Sequence, residues 1–386
     1  MSLLHWVWLS LAMTPGSPLT EQILSRYPDP EEFFLGGEEA MNEIPRLNEI
    51  KRLRLRATTL EMARSAIERA QNIGAVVLAR NDPRFPKRLL TIPDPPVVLY
   101  VLGDVDCLNE GPAIAVVGTR QMTDYGRRMA TAIGGGLAEA GAIVVSGMAH
   151  GIDSAAHIAA MENGGKTIAV QGCGIGNVYP AENEYLKAMI ARNGAVISEF
   201  SPDAEPQSSF FLIRNRLVSG LSLGVCVVEA AARSGTSVTA KLATEQERDV
   251  FAVPADVSRP TAQGTLHLLQ NGAIPVGSAV DILQKYTKDY PELDLSSVRK
   301  RRLILPEEPK VEAERPAVSV RRKKPAPTGL SPTAAALYAV IDEQPRSSDE
   351  LSAKAGLTAS QAAAAFTELE IAFLIRSVSG RRFTIA

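Results

Sequence analysis

Phe210-Phe211-Leu212-Ile213-Arg214-Asn215-Arg216 joins two adjacent aromatic side chains to a polar-basic triplet. An aromatic face for a base, beside a cation for phosphate, is the chemistry that a single nucleic-acid strand requires. Phe211 with Arg214 or Arg216 would supply both. A plainer reading is that the phenylalanines fill a core and the arginines pair with carboxylates such as Glu199 or Glu229. This segment alone does not separate the two.

Three turns add seats for an anion. In Val117-Gly118-Thr119-Arg120, the glycine lets a phosphate approach the backbone and the arginine offers a charged contact. Ser146-Gly147-Met148-Ala149-His150-Gly151-Ile152-Asp153 clusters small residues before a helix start, a nest of N–H donors. Ser234-Gly235-Thr236-Ser237 places hydroxyls at another helix start, followed by Lys241. On the nucleic-acid reading the candidate contact residues are Gly118, Thr119, Arg120, Ser146, Gly147, Phe211, Arg214, Asn215, Arg216, Ser234, Gly235, Thr236 and Lys241.

Signatures of catalysis and of cofactor binding fail on spacing. His150, Asp153 and His157 match no common metal-ligand pattern; Asp153 reads as a first-turn helix residue and His157 as a buried, hydrogen-bonded one. Gly164-Gly165-Lys166-Thr167 resembles the end of a P-loop, but Ala160 stands where the first glycine belongs, and Lys-Thr enters a strand. Gly172-Cys173-Gly174-Ile175-Gly176 lacks the last glycine of a dinucleotide fingerprint. No catalytic set, metal or cofactor is expected.

The elements that position these turns are legible in the pattern. Apolar strands recur at 113–118, 142–147, 167–172, 195–200, 225–230 and 250–255, separated by amphipathic stretches. Strands of this kind are buried on both faces, so residues 73–287 are expected to form a doubly wound, mostly parallel Rossmann-like α/β sheet. Residues 1–72 alternate short helical stretches with turns such as Thr14-Pro15-Gly16-Ser17, and suggest a small all-α domain. The apolar start has no basic n-region, and its Trp6 and Trp8 read as a helix face, not as part of a signal peptide. Residues 288–328 are rich in proline and mixed charge and are expected to be a flexible linker.

Residues 329–386 run helix, helix, a turn at Gly356, helix, then a hairpin at Ser379-Gly380, the order of a winged helix. Its recognition helix, Thr358 to Glu370, carries two glutamates and no Lys or Arg. Phosphate repels such a helix, which favours protein contact over DNA reading.

The 386 residues carry a formal net charge of −2, so attraction to nucleic acid must come from a local basic pocket. Cys107, Cys173 and Cys226 are widely spaced and form no disulfide framework, consistent with a reducing compartment, the cytoplasm. Apart from the start, nothing approaches the roughly 20 apolar residues of a membrane span.

The ordered set VVGTR, SGMAHGID with His157, Tyr179-Pro180, ISE at 197–199, RNR at 214–216, VVEA, SGTSVTA and AVPA closely resembles the DNA-processing protein A family, DprA or Smf. The match runs from about Ala75 to Leu283. The resemblance implies an extended Rossmann fold, often with an N-terminal SAM-like or helix-hairpin-helix domain and a C-terminal winged helix. It further implies a homodimer that binds and protects incoming single-stranded DNA. Such a protein loads RecA recombinase in natural transformation and homologous recombination, and single-strand-binding protein is a further partner. In that family an arginine at the position of Arg120 contacts DNA, and Phe211 and the SGT turn fall in the same pocket. Two positions depart: Leu212 stands where proline is common, and Ser208 where some members carry lysine. These departures shift expected affinity toward Arg120, Arg214 and Lys241. The alternative is a nucleotide phosphoribohydrolase resembling the lysine-decarboxylase-like enzymes, whose PGGxGTxxE loop needs glutamate where Thr239 stands.

Overall fold

The structure is a computed structural model that describes residues 2–232, 234–298, 330–342, 344–372, 374–378 and 382–385. It divides into two compact units, Met1–Arg302 and Leu303–Ala386.

The first unit opens with helices α1 (Leu3–Ala12), α2 (Pro18–Arg26), α3 (Pro30–Asn42), α4 (Glu49–Ala57) and α5 (Leu60–Asn72). Helix α1 buries both tryptophans, and the Trp8 indole N–H donates to the Thr58 carbonyl at 2.8 Å. Strands β1 (Val76–Ala79), β2 (Val98–Gly103) and β3 (Ala113–Val117) follow, then α6 (Asp124–Glu139), β4 (Ile143–Ser146), α7 (Ile152–Glu162) and β5 (Thr167–Val170). Next come α8 (Glu184–Asn193), β6 (Gly194–Ser198), α9 (Ser208–Gly220), β7 (Gly224–Val227), α10 (Gly235–Glu245) and β8 (Asp249–Ala252). The unit continues with α11 (Gln263–Gln270), β9 (Ile274–Pro275) and α12 (Ala279–Leu283).

The strands form one sheet in the order β1-β2-β6-β5-β4-β3-β7-β8-β9. All six strands expected from apolar runs lie in its parallel centre; β1 and β2 add an antiparallel edge. The chain runs outward from β3 to β6, and α9 then carries it back to β7, beside β3. That reversal opens a crevice between the carboxyl ends of β3 and β7, where open α/β sheets bind ligands.

Both faces of the sheet are covered, as continuous apolar strands require. Leu217, Val218, Ala240 and Ala243 of α9 and α10 pack on one face; Ile133, Leu137, Ala156 and Ala160 of α6 and α7 pack on the other. The N-terminal helices share an apolar cluster with Val98, Tyr100, Ala169 and Val196 of the sheet. Packing is thus continuous across residue 72, where the element type changes. Leu293 is buried and Val298 packs beside it against the α6–α12 face. The chain therefore stays packed through residue 298, past the expected start of the linker at 288; residues 299–329 lie outside the described residues.

The second unit contains α13 (Pro332–Val340), β10 (Arg346–Ser347), α14 (Ser348–Lys354), α15 (Ala359–Ile371), β11 (Ile375–Val378) and β12 (Arg382–Ile385), with sheet order β10-β12-β11. This is the winged-helix order; the turn expected at Ser379-Gly380 lies outside the described residues. Thr358 and Gln361 form a reciprocal capping box at the start of α15.

Candidate nucleic-acid interface

An open cavity of about 690 Å³ occupies the β3/β7 crevice. Gly118, Thr119 and Arg120 form one wall, Phe211, Arg214 and Asn215 of α9 another, and Ser234, Gly235 and Thr236 at the start of α10 a third. With Gly147, ten of the expected contact residues meet here.

Helical spacing explains which side chains of α9 reach the cavity. Ser208, Phe211, Leu212 and Asn215 fall at intervals of three and four and line it. Arg216, five residues after Phe211, points the opposite way. Its guanidinium is buried, pairs with Glu199, and lies 3.2 Å from Asp94 Oδ2. Arg216 is thus not a cavity residue: the expectation for it is corrected in favour of the carboxylate pairing.

Arg214 takes a middle position. It lines the cavity but is only 5% exposed, donating to the carbonyls of Gly147 (2.8 Å) and Val170. Burial pulls its pKa below the ordinary value, opposed by the charge of Asp153. Its charge thus lies beneath the cavity surface beside the opposing charge of Asp153.

Among the expected anion seats, the second is already filled. Asp153 Oδ2 accepts from the backbone N–H of Gly147 (3.1 Å) and of Ala149 (3.4 Å), and Thr119 O accepts the Ile152 N–H at 3.3 Å. The protein's own groups thus satisfy the nest before α7. Burial raises the Asp153 pKa, opposed by the nearby charge of Arg214. Ser146 is fully buried and donates to Val116 O at 2.6 Å, so it supports the turn without facing the cavity. The start of α6 is similarly occupied: Glu229 accepts from Thr123 N at 2.9 Å and Thr123 Oγ1 at 2.6 Å. By contrast α10 has no acidic residue in its first turn; among the described residues Ser234 caps it, accepting from Ser237 N, and its start at Ser234, Gly235 and Thr236 lines the cavity.

Arg120 is exposed at the rim, its guanidinium 5.7 Å from the centroid of the half-buried Phe211 ring. Among the described residues no carboxylate forms an ion pair with it. Phe210 instead stacks on Phe200 at 4.2 Å. Lys241 lies outside the cavity, 78% exposed and 3.5 Å from Glu245. His157 is fully buried: Thr167 Oγ1 donates to Val144 O at 2.7 Å, so it must accept from His157 Nδ1 at 2.6 Å. Burial, with the charge of Arg214, lowers this imidazole to about 3, a neutral packing residue.

Sequence reasoning missed Tyr179 and Ser208 as lining residues. Ser208 was legible as the residue three before Phe211 on one helix face. Tyr179 comes from the loop after β5; Tyr179-Pro180 entered only as a motif of the family resemblance, and nothing in its surroundings marked the ring as a cavity wall. Thr239 also lines the cavity, its hydroxyl donating to Gly235 O at 3.4 Å.

Residues 76–287 match the model of the DNA recombination-mediator protein A family. The chain belongs to that family. Residues 321–381 separately match the DprA winged helix domain. The chain is 35% identical over 329 residues to Protein Smf of Synechocystis, covering 82% of each. It is 39% identical over 220 residues to DNA processing protein DprA of Bacillus subtilis, covering 57% of this chain and 73% of that one. Among solved structures, Streptococcus pneumoniae DprA aligns over 74% of this chain and 98% of its own, at 31% identity and a TM-score of 0.66. DNA processing protein A of Helicobacter pylori, studied for its single-stranded DNA binding mode, aligns over 56% of this chain and 97% of its own, at 32% identity and a TM-score of 0.51.

Proposed function

We propose that this chain binds single-stranded DNA in the β3/β7 cleft. The observation that carries the reading is the placement of Arg120 over Phe211, at the mouth of a cavity walled by the N-terminus of α10. An aromatic face takes a base, while Arg120 and the helix terminus take the adjoining phosphate. The Helicobacter pylori relative, which binds single strands, supports the assignment. Anisotropy of labelled oligo-dT and a matched duplex tests this: preferential, salt-sensitive binding of the single strand is expected, and equal or negligible binding of both rejects it.

Family membership extends the proposal to protection of incoming DNA and delivery of RecA recombinase to it, in natural transformation and homologous recombination, by a cytoplasmic homodimer. Single-strand-binding protein is the further partner. Accelerated RecA assembly on a strand coated with single-strand-binding protein is the expected behaviour. Among the described residues no helix is long and apolar enough to cross a membrane. For the winged helix we propose a protein-contacting role. Glu368 accepts from Ser331 N at 2.7 Å and from Ser331 Oγ at 2.6 Å, capping α13, while Glu370 remains exposed on a helix without Lys or Arg.

A further inference from the structure

A second cavity, of about 350 Å³, adjoins the first. The two share Arg120, Gly147, Ala149, Tyr179, Phe211 and Arg214 as walls, and the second extends past them to His150, Val178, Pro180 and Glu182. Both volumes fall within the roughly 300–1,000 Å³ of small-molecule sites. Two of the shared walls are aromatic: Tyr179 and Phe211 set their rings side by side, with centroids 4.9 Å apart and planes tilted by 41°.

The two rings are not equally free. Phe211 is half-buried, with Arg120 over its ring and Gly172 packed against it. Tyr179 is 38% exposed, and among the described residues no hydrogen bond engages its hydroxyl. Exposing so large a ring costs hydrophobic free energy unless a ligand covers it. The loop that presents Tyr179 is nonetheless firmly held. Lys187 Nζ and Gln171 Nε2 both donate to Asn177 O, at 2.8 and 3.2 Å, and Asn177 Nδ2 donates to Ala204 O at 2.9 Å. On the far side, Asn183 Nδ2 ties the following turn to Met148 O at 2.8 Å. A fixed exposed aromatic ring suits base stacking, because little ordering remains to be done on binding.

We infer that the cleft holds two neighbouring nucleotides, one on each side of the Phe211–Tyr179 pair, with Tyr179 as the second base-stacking platform. The inference rests on the single-strand reading above. Charge fixes the arrangement. Glu182, whose carboxylate lies 3.5 Å from His150 Nε2 at the far end, repels phosphate, so that end receives a base. The linking phosphate then faces Arg120, which borders both cavities.

The test compares oligo-dT with a fully abasic strand of equal length, which presents the same phosphates and no bases. Tyr179→Ala is expected to weaken oligo-dT binding about tenfold, leave abasic-strand binding unchanged, and preserve the salt slope of the wild type. Tyr179→Phe is expected to bind oligo-dT as the wild type does. Equal loss on both strands would mean that Tyr179 only supports the fold of the rim, and unchanged oligo-dT binding by Tyr179→Ala would remove the second platform; either result overturns the inference. A wild-type protein that fails to bind oligo-dT removes the single-strand reading itself.

Discussion

Gly147→Ala probes the buried Arg214 directly. A Cβ at residue 147 would lie 2.3 Å from Nη1, 2.5 Å from Nη2 and 2.6 Å from Cζ of Arg214. The guanidinium must move, and in this buried position the displacement is expected to disrupt its bonds to Gly147 O and Val170 O. Bonds to charged groups contribute about 1.5–3 kcal/mol each. The neighbouring cavity lets the side chain swing toward solvent, so the lower sum of about 3 kcal/mol is the better expectation. At roughly 2 °C per kcal/mol for a unit of this size, the melting temperature should fall by roughly 6 °C. In an Arg214→Met background the steric conflict is gone, and Gly147→Ala should cost less than about 1 kcal/mol more. Thermal melts of the four proteins in the cycle decide it: additive losses, or a Gly147→Ala protein melting within about 1 °C of the wild type, would refute the reasoning.

Gly172→Ala places a Cβ 2.5 Å from Phe211 Cδ1, so the ring must shift; oligo-dT affinity should fall about fivefold in anisotropy. Lys241→Ala should change that affinity by less than about twofold, since Lys241 sits outside the cavity beside Glu245. In the unfolded chain His157 takes up a proton below its ordinary 6.5, but in the folded protein only near 3. Its contribution to stability is therefore complete above 6.5 and is lost as the pH falls toward 3, by up to about 1.4 kcal/mol per pH unit. Acid denaturation of His157→Gln should accordingly show a shallower pH dependence over that range, and an unchanged slope would contradict the neutral assignment.

The parallel centre of the sheet was legible because strands buried on both faces must be apolar throughout, as in Ala113–Val117 and Gly224–Val227. The edge strands Val76–Ala79 and Val98–Gly103 were not, since their antiparallel pairing is set by long-range contacts and no crossover helix announces it. At the site, the turn at Arg120 and the helix that carries Phe211 line one cavity, a juxtaposition that the family resemblance implied and that the spacing of the residues alone left open. Arg216 was misplaced although its offset from Phe211 puts it on the opposite helix face; periodicity applied within the RNR triplet separates Arg214 from Arg216. That Asp153 fills the nest at Gly147–Ala149 could not be read, because an aspartate in a first helical turn is equally suited to solvent. Tyr179 reaches the cavity through a loop whose path depends on Lys187 and Asn183 in the next helix and turn.

The central claim, that Arg120 neutralises a phosphate of a bound single strand, is tested most directly by the salt dependence of oligo-dT binding. Anisotropy titrations at several salt concentrations should give a log–log slope for Arg120→Ala that is about 0.7 less steep than the wild type's, together with weaker binding. Weakened binding with an identical slope would contradict the account and leave Arg120 as a packing partner of Phe211.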